Sequence, residues 1–384
     1  MTLRDAFMLD PEIAFLNHGF VGATPRAVFE ANLERSREFE REPVDYISRY
    51  ATGRLAEARA SLAGYVDADP DDLVFTTNGT IGLNMVARSL ARSLELGPGD
   101  ELLMTDHEHG GIERLFQYLA ERHGFTLVRR AVPLPVTTHA DFVEQLMAGV
   151  TERTRAIVIS HMTAPSALVL PVAEVCRRAR ELGIVTMVDG AHGPGQLPLS
   201  LRTIDPDFYV GILHKWLCAP KTAAFLYARR DRQDRLDPLV VSWGWRPDQP
   251  GVSRFIDENE WQGSRDLSAF LTVPDAIAFQ QAHDWDAVRA RCRALAAAAQ
   301  RAISDIFGLA PWHPPLPEWQ GQMACARLPD HVDTATLQHR LRFEHLVDVS
   351  VERFAGAPRV RISVQGYNGT DDIDRLLAAL RALV

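Results

Sequence analysis

The chain has 384 residues, which is enough for a large domain and a smaller one. Its net charge is −9 at pH 7 and it has no basic tract, so nucleic acid is not an expected partner. A secretory signal and an apolar run of about 18 residues are both missing, which predicts a cytoplasmic protein that does not span a membrane. The cysteines are far apart and predict free thiols, not a disulfide frame or a zinc site; they are Cys176, Cys218, Cys292 and Cys325.

Short apolar segments alternate with amphipathic ones between residues 73 and 228. The predicted strands are 73–76, 101–105, 126–132, 156–160, 184–189, 207–213 and 223–228, and the first four are followed by helical patterns over 80–93, 111–123, 139–149 and 172–182. The first five strands are rich in Val, Ile and Leu, which is typical of a mostly parallel sheet covered on both faces. The last two predicted strands are ten residues apart, which predicts one antiparallel strand at the sheet edge. Ligands of such sheets bind beyond the carboxyl ends of the strands.

The last third of the chain has a different pattern. A long helical pattern over 273–306 is followed by a Pro-rich loop at 311–319, a strand at 323–328, a helix at 334–343, a strand at 360–364 and a helix at 371–383. This order predicts a smaller α+β unit.

Lysine is almost absent from the chain. Of 41 basic residues only two are lysines, Lys215 and Lys221. A lysine amine can form an imine with an aldehyde once its pKa is lowered, whereas arginine stays protonated. Lys215 follows a predicted strand and lies between His214 and Trp216, so it is the candidate for forming an imine. Lys221 directly precedes the next strand and is the fallback, with a surface or phosphate-proximal charge as its alternative role.

An acid and a histidine follow the fifth predicted strand. Asp189 ends this strand, and a buried acid is costly unless a positive group lies on it. The protonated pyridine nitrogen of pyridoxal 5′-phosphate (PLP) is such a group, and the ion pair keeps the ring an electron sink. His192 is placed to reach the hydroxyl of the ring. The alternative is that Asp189 only caps its own turn.

Two further strand ends carry candidate cofactor contacts. Gly79 and Thr80 lie where a strand ends and a helix begins, and the backbone N–H groups there suit a phosphate. Thr80 is also a candidate N-cap, and the two roles are compatible. His109 is placed to stack on the cofactor ring. His107 and His109 would alternatively form a metal pair, but no third ligand has suitable spacing, so no metal site is predicted.

Two residues are candidates for binding the substrate. Arg361 lies on a tail strand, and a guanidinium is a good bidentate clamp for an α-carboxylate. Because the chain has many arginines, the alternative is that Arg361 is an ordinary structural or surface residue with no role at a site. Asn17, in FLNHG, would supply a second polar contact.

Together these segments resemble the class V aminotransferase family of PLP enzymes, and within it the isopenicillin N epimerase-like group. The resemblance covers nearly the whole chain, including FLNHGFVGATP (15–25), TNGTIGLN (77–84), VDGAHGPGQ (188–196), DFYVGILHKWLCAPK (207–221) and RISVQGYNGTDDIDRLL (361–377). It implies an α/β protein of fold type I with a mostly parallel seven-stranded sheet. A large PLP-binding domain would span 16–262, and a smaller α+β domain would combine 1–15 with 263–384.

The resemblance also implies roles for individual residues. Lys215 would bind the aldehyde of the cofactor and serve as the catalytic base, and His214 would lie near the phosphate. Asp189 would pair with the pyridine nitrogen, His109 would stack on the ring and His192 would face the ring hydroxyl.

The other residues implied by the resemblance contact phosphate, cofactor or substrate. The remaining cofactor contacts would be Gly79, Thr80, Thr163 and Ser264. Ser264 would reach the phosphate site of a neighbouring subunit, which implies a homodimer with two shared active sites. Arg361 and Asn17 would bind the substrate.

Two departures from the family pattern limit the function. Ile212 occupies a position where relatives often carry a Ser or Asn that contributes to phosphate binding. The stretch 348–359 lacks the nucleophilic Cys of the cysteine desulfurases, and Cys325 lies inside a predicted strand instead, so a persulfide-forming desulfurase is not expected.

The resemblance implies chemistry at the α-carbon of a small amino-acid-like substrate, with epimerisation as the leading prediction. The alternatives are a C–S lyase acting on a cysteine conjugate or its sulfoxide, and an aminotransferase. A non-enzymatic PLP-binding regulator is disfavoured because it would normally carry an added partner module. Epimerisation needs a second acid, for which the candidates are His18, Tyr46 and His214, and specificity is expected to lie in 40–50 and 243–260.

Overall fold

The structure is a computed structural model that describes residues 3–314 and 316–384. The strands are β1 (Ala14–Phe15), β2 (Leu73–Thr76), β3 (Glu101–Thr105), β4 (Thr126–Arg130), β5 (Thr154–Ser160), β6 (Val185–Gly190), β7 (Phe208–Ile212), β8 (Ala224–Ala228), β9 (Met323–Arg327), β10 (Val347–Asp348), β11 (Ser350–Phe354) and β12 (Ala357–Ser363). The helices are α1 (Arg26–Arg41), α2 (Pro43–Asp45), α3 (Ala51–Val66), α4 (Gly79–Ser93), α5 (Gly110–His123), α6 (His139–Met147), α7 (Val172–Glu181), α8 (Leu201–Ile204), α9 (Arg254–Glu260), α10 (Ser268–Leu271), α11 (Val273–Ala282), α12 (Trp285–Phe307), α13 (Thr334–Glu344) and α14 (Thr370–Leu383).

The seven predicted strands form one sheet with the order β2-β8-β7-β6-β5-β3-β4. The strands from β3 to β7 are parallel, and β8 runs antiparallel to β2 and β7. The prediction of an antiparallel strand is therefore confirmed, but its position at the edge is wrong. β8 is hydrogen-bonded on both sides and buried throughout, while β2 and β4 form the edges.

Both faces of this sheet are covered, because successive side chains of a strand point to opposite faces. Phe75, Val188 and Tyr209 belong to an apolar cluster that includes residues of α3, α6, α7 and α11. Val74 and Met187 belong to a second cluster that includes residues of α4, α5 and α9. The continuous apolar runs of the sequence reflect this burial on both sides.

A smaller antiparallel sheet has the order β11-β12-β9. Val351, Val360 and Ile362 point from one face into an apolar cluster shared with α12, α13 and α14. Ala14 and Leu16, at the N-terminal end, belong to the same cluster, and β1 pairs with β10. The opposite face is mixed: Glu352, Arg359 and Arg361 lie on it beside Cys325 and Ala357, which belong to another apolar cluster. The predicted division into 16–262 and its flanking segments stays a prediction.

The long helix predicted over 273–306 is two helices, so that prediction is wrong in its continuity. α11 ends at Ala282, and Asp284, with φ 46°, turns the chain and accepts the N–H of Ala287 as the N-cap of α12. Strands β10 and β11 were not predicted. Within the described ranges, no helix is long and apolar enough to cross a membrane.

Candidate active site

A pocket opens at the carboxyl ends of β5, β6 and β7, beside the N-termini of α4 and α5. Its lining consists of Gly79, Thr80, Leu83, His109, Ser160, Met162, Ala164, Asp189, Ala191, His192, Ile212 and Lys215. Six predicted site residues are thus brought together from distant parts of the chain, at the place where such a sheet binds ligands.

Lys215 lies inside this pocket. Its Nζ is 3.5 Å from Nε2 of His192. Burial lowers the pKa of Lys215 to about 8, although the charge of Asp189 opposes the shift. A large fraction of the amine is therefore neutral near pH 8 and able to act as a nucleophile or base. Lys221 is exposed instead, and its Nζ donates to Thr24 Oγ1 at 3.1 Å.

The turn that carries Lys215 is held between two backbone segments. Gly22 has φ 83°, and a Cβ there would lie 2.5 Å from the carbonyl oxygen of His214. Gly195 has φ 89°, and a Cβ there would overlap the carbonyl group of Trp216. Only glycine fits at both positions, because side chains rarely adopt this backbone and no room exists for one.

His192 has a defined tautomer. Trp216 Nε1 donates to His192 Nδ1 at 3.1 Å, so the proton of the neutral ring is on Nε2. Burial, with the nearby charge of Lys215, lowers the pKa of His192 well below its usual value. The ring therefore presents a neutral N–H donor to the interior of the pocket.

Asp189 is 5% exposed, and its Oδ1 accepts the backbone N–H of Ala191 at 2.8 Å. Burial raises the pKa of Asp189, while the charges of Lys215 and His109 lower it. A cationic partner in the pocket would stabilise the ionised carboxylate.

The N-terminus of α4 forms one end of the pocket. Asn78 is the N-cap, because its Oδ1 accepts the N–H of Ile81 at 2.9 Å. The prediction that Thr80 caps the helix is therefore wrong, and Thr80 is an exposed residue of the lining. A Cβ on Gly79 would lie 2.8 Å from Ile212 Cδ1, so the apolar Ile212 seals this end.

His109 lines the pocket at the start of α5. Its Nδ1 accepts the N–H of Gly111 at 3.1 Å, which leaves the proton of the neutral ring on Nε2. Burial lowers the pKa of His109, against the raising effect of Asp189.

Arg361 approaches the pocket from the smaller sheet. Its Nη1 donates to the carbonyl of Ala164, a lining residue, at 2.8 Å, and its Nε has no partner. Asn17 bridges to Ser363 on β12, and its Nδ2 donates to Asp348 Oδ1 at 3.1 Å. Asn17 is not part of the lining.

The remaining predicted cofactor contacts lie outside the lining. The hydroxyl of Thr163 accepts the N–H of Leu168 at 2.9 Å and bonds to Ser166 at 2.7 Å, so it shapes the loop that carries Ala164. Ser264 is exposed. The predicted roles of Thr163 and Ser264 stay predictions.

The candidates for a second acid do not line the pocket either. His18 is fully buried, with Nε2 3.0 Å from the carbonyl oxygen of Lys215 and Nδ1 2.9 Å from Tyr367 Oη. Burial lowers the pKa of His18 to about 3. His214 Nδ1 donates to a backbone carbonyl, and Tyr46 packs beneath Arg54.

Glu108 was missed by the sequence analysis. Thr105 Oγ1 and Ser160 Oγ donate to its carboxyl group at 2.7 and 2.5 Å, and Ser160 lines the pocket. Burial raises the pKa of Glu108 to about 7, and the charge of Asp189 adds to the shift. Its position between two histidines directly after a strand was the available signal. In the part of the chain that the structure describes, no cluster of three or more His, Cys, Asp or Glu could hold a metal ion.

Comparisons with known proteins identify the family of the chain. The family model for class V aminotransferases matches residues 22–376. The chain is 37% identical over 390 residues to isopenicillin N epimerase from Amycolatopsis lactamdurans, covering 99% of this chain and 97% of that protein. It is 29% identical to putative L-cysteine desulfhydrase 1 from Oryza sativa subsp. japonica, over 97% of this chain and 83% of that protein.

A solved structure shares the fold. A mutant of C-DES with glycine covalently linked to its PLP cofactor superposes with a TM-score of 0.85 at 21% identity, covering 100% of both chains. At this identity the likeness concerns the fold alone, and it confirms the predicted α/β architecture of fold type I.

Proposed function

Because the chain belongs to the class V aminotransferase family and is a PLP-dependent enzyme, we propose that it inverts the α-carbon of an amino-acid substrate. The single observation that carries the proposal is the pocket-lining amine of Lys215, whose pKa burial lowers to about 8. It shares the lining with Asp189 and with Ala164, whose carbonyl Arg361 binds. A base at the α-carbon is the first requirement of such a reaction. The 37% identity to an isopenicillin N epimerase over nearly the whole chain favours epimerisation.

The pocket fits PLP. The buried carboxylate of Asp189 matches the pyridine nitrogen, and the donor His192 Nε2 matches the ring hydroxyl. Lys215 would hold the aldehyde, His109 would stack on the ring, and the N-terminus of α4 at Gly79 would bind the phosphate. When bound, PLP supplies an electron sink for negative charge at the α-carbon.

The residues of the chain would then share the proton transfers. A neutral Lys215 amine takes the proton from the α-carbon, and Arg361 orients the substrate through its α-carboxylate. Inversion also needs a donor on the opposite side of the α-carbon. We assign this role to the protonated, imidazolium form of His109, because the ring lines the pocket and the nearby charge of Asp189 favours its protonation.

A C–S lyase is the second candidate, and it is supported by the 29% identity to a putative L-cysteine desulfhydrase. The same base would remove the α-proton, and loss of a sulfur group from the β-carbon would follow. A persulfide-forming reaction is less favoured. Cys325 lies within β9 and is buried, and burial raises the pKa of its thiol, so it is a poor nucleophile.

The test is incubation of the holoenzyme in D₂O with amino acids, short peptides and cysteine conjugates, followed by chiral mass spectrometry. We expect deuterium at an α-carbon of inverted configuration with an intact side chain. Pyruvate and a released thiol would favour the lyase instead, and a 2-oxo acid with an intact side chain would favour transamination. Absence of α-deuterium from every compound that binds would contradict the proposal.

A further inference from the structure

Two arginines lie side by side on the mixed face of the smaller sheet. Arg359 and Arg361 are two residues apart on β12, so their side chains leave the same face. Their Cα atoms are separated by about 6–7 Å, the rise of two strand residues. The alternate residues Val360 and Ile362 point into the apolar core on the other face.

Both guanidinium groups are buried and incompletely paired. Arg359 is 1% exposed, and although its Nη2 donates to Glu352 at 2.8 Å, its Nε and Nη1 have no partner. Arg361 is 6% exposed, and its Nε has no partner. Buried N–H groups are nearly always paired in native proteins, so unpaired donors on two adjacent arginines point to an absent acceptor.

The charge of this face also requires an anion. Burial lowers the pKa of Arg361, and the adjacent charge of Arg359 lowers it further. The nearby acid is Glu352, whose side chain is 57% exposed, so water screens its charge. The one exposed carboxylate leaves the positive charge of the two buried guanidinium groups incompletely balanced. A second anion would therefore stabilise them.

Arg361 links this sheet face to the wall of the active site. It binds the carbonyl of Ala164, a lining residue, and its charge influences His109, which also lines the pocket. Arg359 lies two residues away on the same face of β12, and Cys325, the strand partner of Arg361 on β9, donates its thiol to the carbonyl of Pro165 at 3.4 Å. Arg361 therefore contacts the Ala164 wall of the pocket, and Arg359 is its nearest basic neighbour along the strand.

We propose that the substrate carries two carboxylates, with Arg361 binding the α-carboxylate and Arg359 binding a second one on the side chain. This inference rests on the proposed function, because it assigns the substrate class of the same site. The separation of the two arginines suits an amino acid or an N-terminal residue whose acid group is about two or three methylene groups from the α-carbon. Arg359 is then a specificity residue and takes no part in proton transfer.

The test uses a pair of ligands that cannot react at an α-carbon. Glutarate and its monoamide have nearly the same size, and they differ in one carboxylate. Calorimetric titration of the wild-type holoenzyme should show glutarate binding at least about tenfold more tightly, since each tenfold corresponds to about 1.4 kcal/mol. Equal affinities for the two ligands would overturn the proposal.

Variants test which residue produces the preference for glutarate over its monoamide. Arg359→Gln should remove it and leave the affinity for the monoamide within about twofold of wild type. Arg353→Gln is the matched control, because Arg353 is an exposed arginine on the neighbouring strand β11, and it should keep the preference. Equal weakening of both ligands by Arg359→Gln would overturn the assignment to this residue.

A second variant keeps the test decisive if Arg359→Gln does not fold. Glu352→Gln removes the acid that competes for Arg359, at an exposed position, so glutarate should bind several-fold more tightly. Unchanged or weaker binding would overturn the proposal.

Because these titrations need no chemistry, a failed deuterium exchange would overturn the proposed function and leave this result standing. Exchange confined to neutral amino acids, with equal affinity for the two ligands, would overturn only the acid subsite.

Discussion

The larger and the smaller sheet contribute to the pocket in different ways. The seven-stranded sheet is apolar on both faces, so its polar groups, such as Asp189 and Lys215, emerge only where strands end. The three-stranded sheet is apolar on one face and mixed on the other, where Arg359 and Arg361 project from the middle of a strand beside Cys325 and Ala357.

The difference separates two tasks. The strand ends of the larger sheet gather the groups that fit the cofactor and move protons. The mixed face of the smaller sheet carries two arginines that fit the acids of a substrate. Variants in the two regions should therefore fail in different ways, in chemistry on one side and in substrate affinity on the other.

The largest effect is expected on the side of the larger sheet. Lys215→Ala should reduce α-deuterium exchange by about 10³-fold or more, because the base is removed, and should abolish covalent attachment of PLP. Exchange rates and the absorption spectrum of the bound cofactor measure both effects. Lys221→Ala is the matched control and should behave as wild type. Full activity in Lys215→Ala, with loss in Lys221→Ala, would show that the wrong lysine was assigned.

On the smaller sheet, Arg361→Gln should raise KM by about 10- to 100-fold, because hydrogen bonds to a charged carboxylate are lost. The cofactor spectrum should stay that of the wild type, since Arg361 does not bind the cofactor in this arrangement. Arg361→Lys should recover part of the affinity. A changed cofactor spectrum with unchanged KM would contradict the proposed division, in which the larger sheet serves the cofactor and the smaller sheet binds the substrate.

The backbone around Lys215 gives a third test. Gly195→Ala should destabilise the holoenzyme by about 3 kcal/mol or more, because the new methyl group overlaps Trp216 and the backbone has φ 89°. Gly263→Ala is the control, because Gly263 has φ 102° but open space around it, and should cost about 1 kcal/mol. Denaturant unfolding of both variants measures the difference. Equal losses would mean that backbone strain alone, not the contact with Trp216, decides the effect.

The smallest effect concerns Glu108 and pH. Its pKa is raised by burial from 4.5 to about 7 in the folded protein, so the unfolded chain loses this proton first as the pH rises. Below about pH 4.5 Glu108 therefore does not reduce the free energy of unfolding. Between about pH 4.5 and 7 it reduces this free energy increasingly, and above about pH 7 the reduction is constant. Glu108→Gln, which stays neutral, should gain stability relative to wild type over this window, by at most about 3 kcal/mol.

Unfolding free energies at pH 5 and pH 8, measured for wild type and Glu108→Gln, give this difference. Its increase with pH is the expected result. A difference that is constant across the window would show that Glu108 ionises in the folded protein as it does in water.

The sequence predicted the larger sheet well and the smaller one poorly, for a physical reason. Buried parallel strands are continuous apolar runs, so the bounds of β2 to β8 were all located within two residues of those observed. Strand β11 is short and has only two apolar residues, Val351 and Phe354, so no apolar run marks it and it was missed. The position of β8 between β2 and β7 was also missed, because spacing along the chain does not specify the order of neighbours.

The candidate site shows the same limit. Lys215 and Asp189 could be found because each has a chemical reason to follow a strand, and the structure places both in the pocket. His18 was a reasonable candidate for an acid, but its ring contacts the backbone of Lys215 instead of facing the pocket. Whether a polar side chain faces a pocket or holds a loop depends on contacts between distant segments, which a single sequence does not specify.

The two lysines have a practical consequence for handling the protein. Lys221 is exposed, whereas Lys215 is enclosed in the pocket. Of the two lysines, only Lys221 should therefore react with an activated-ester dye while the protein is folded. A lysine-directed label would then mark the outside of the molecule and leave the pocket amine unmodified.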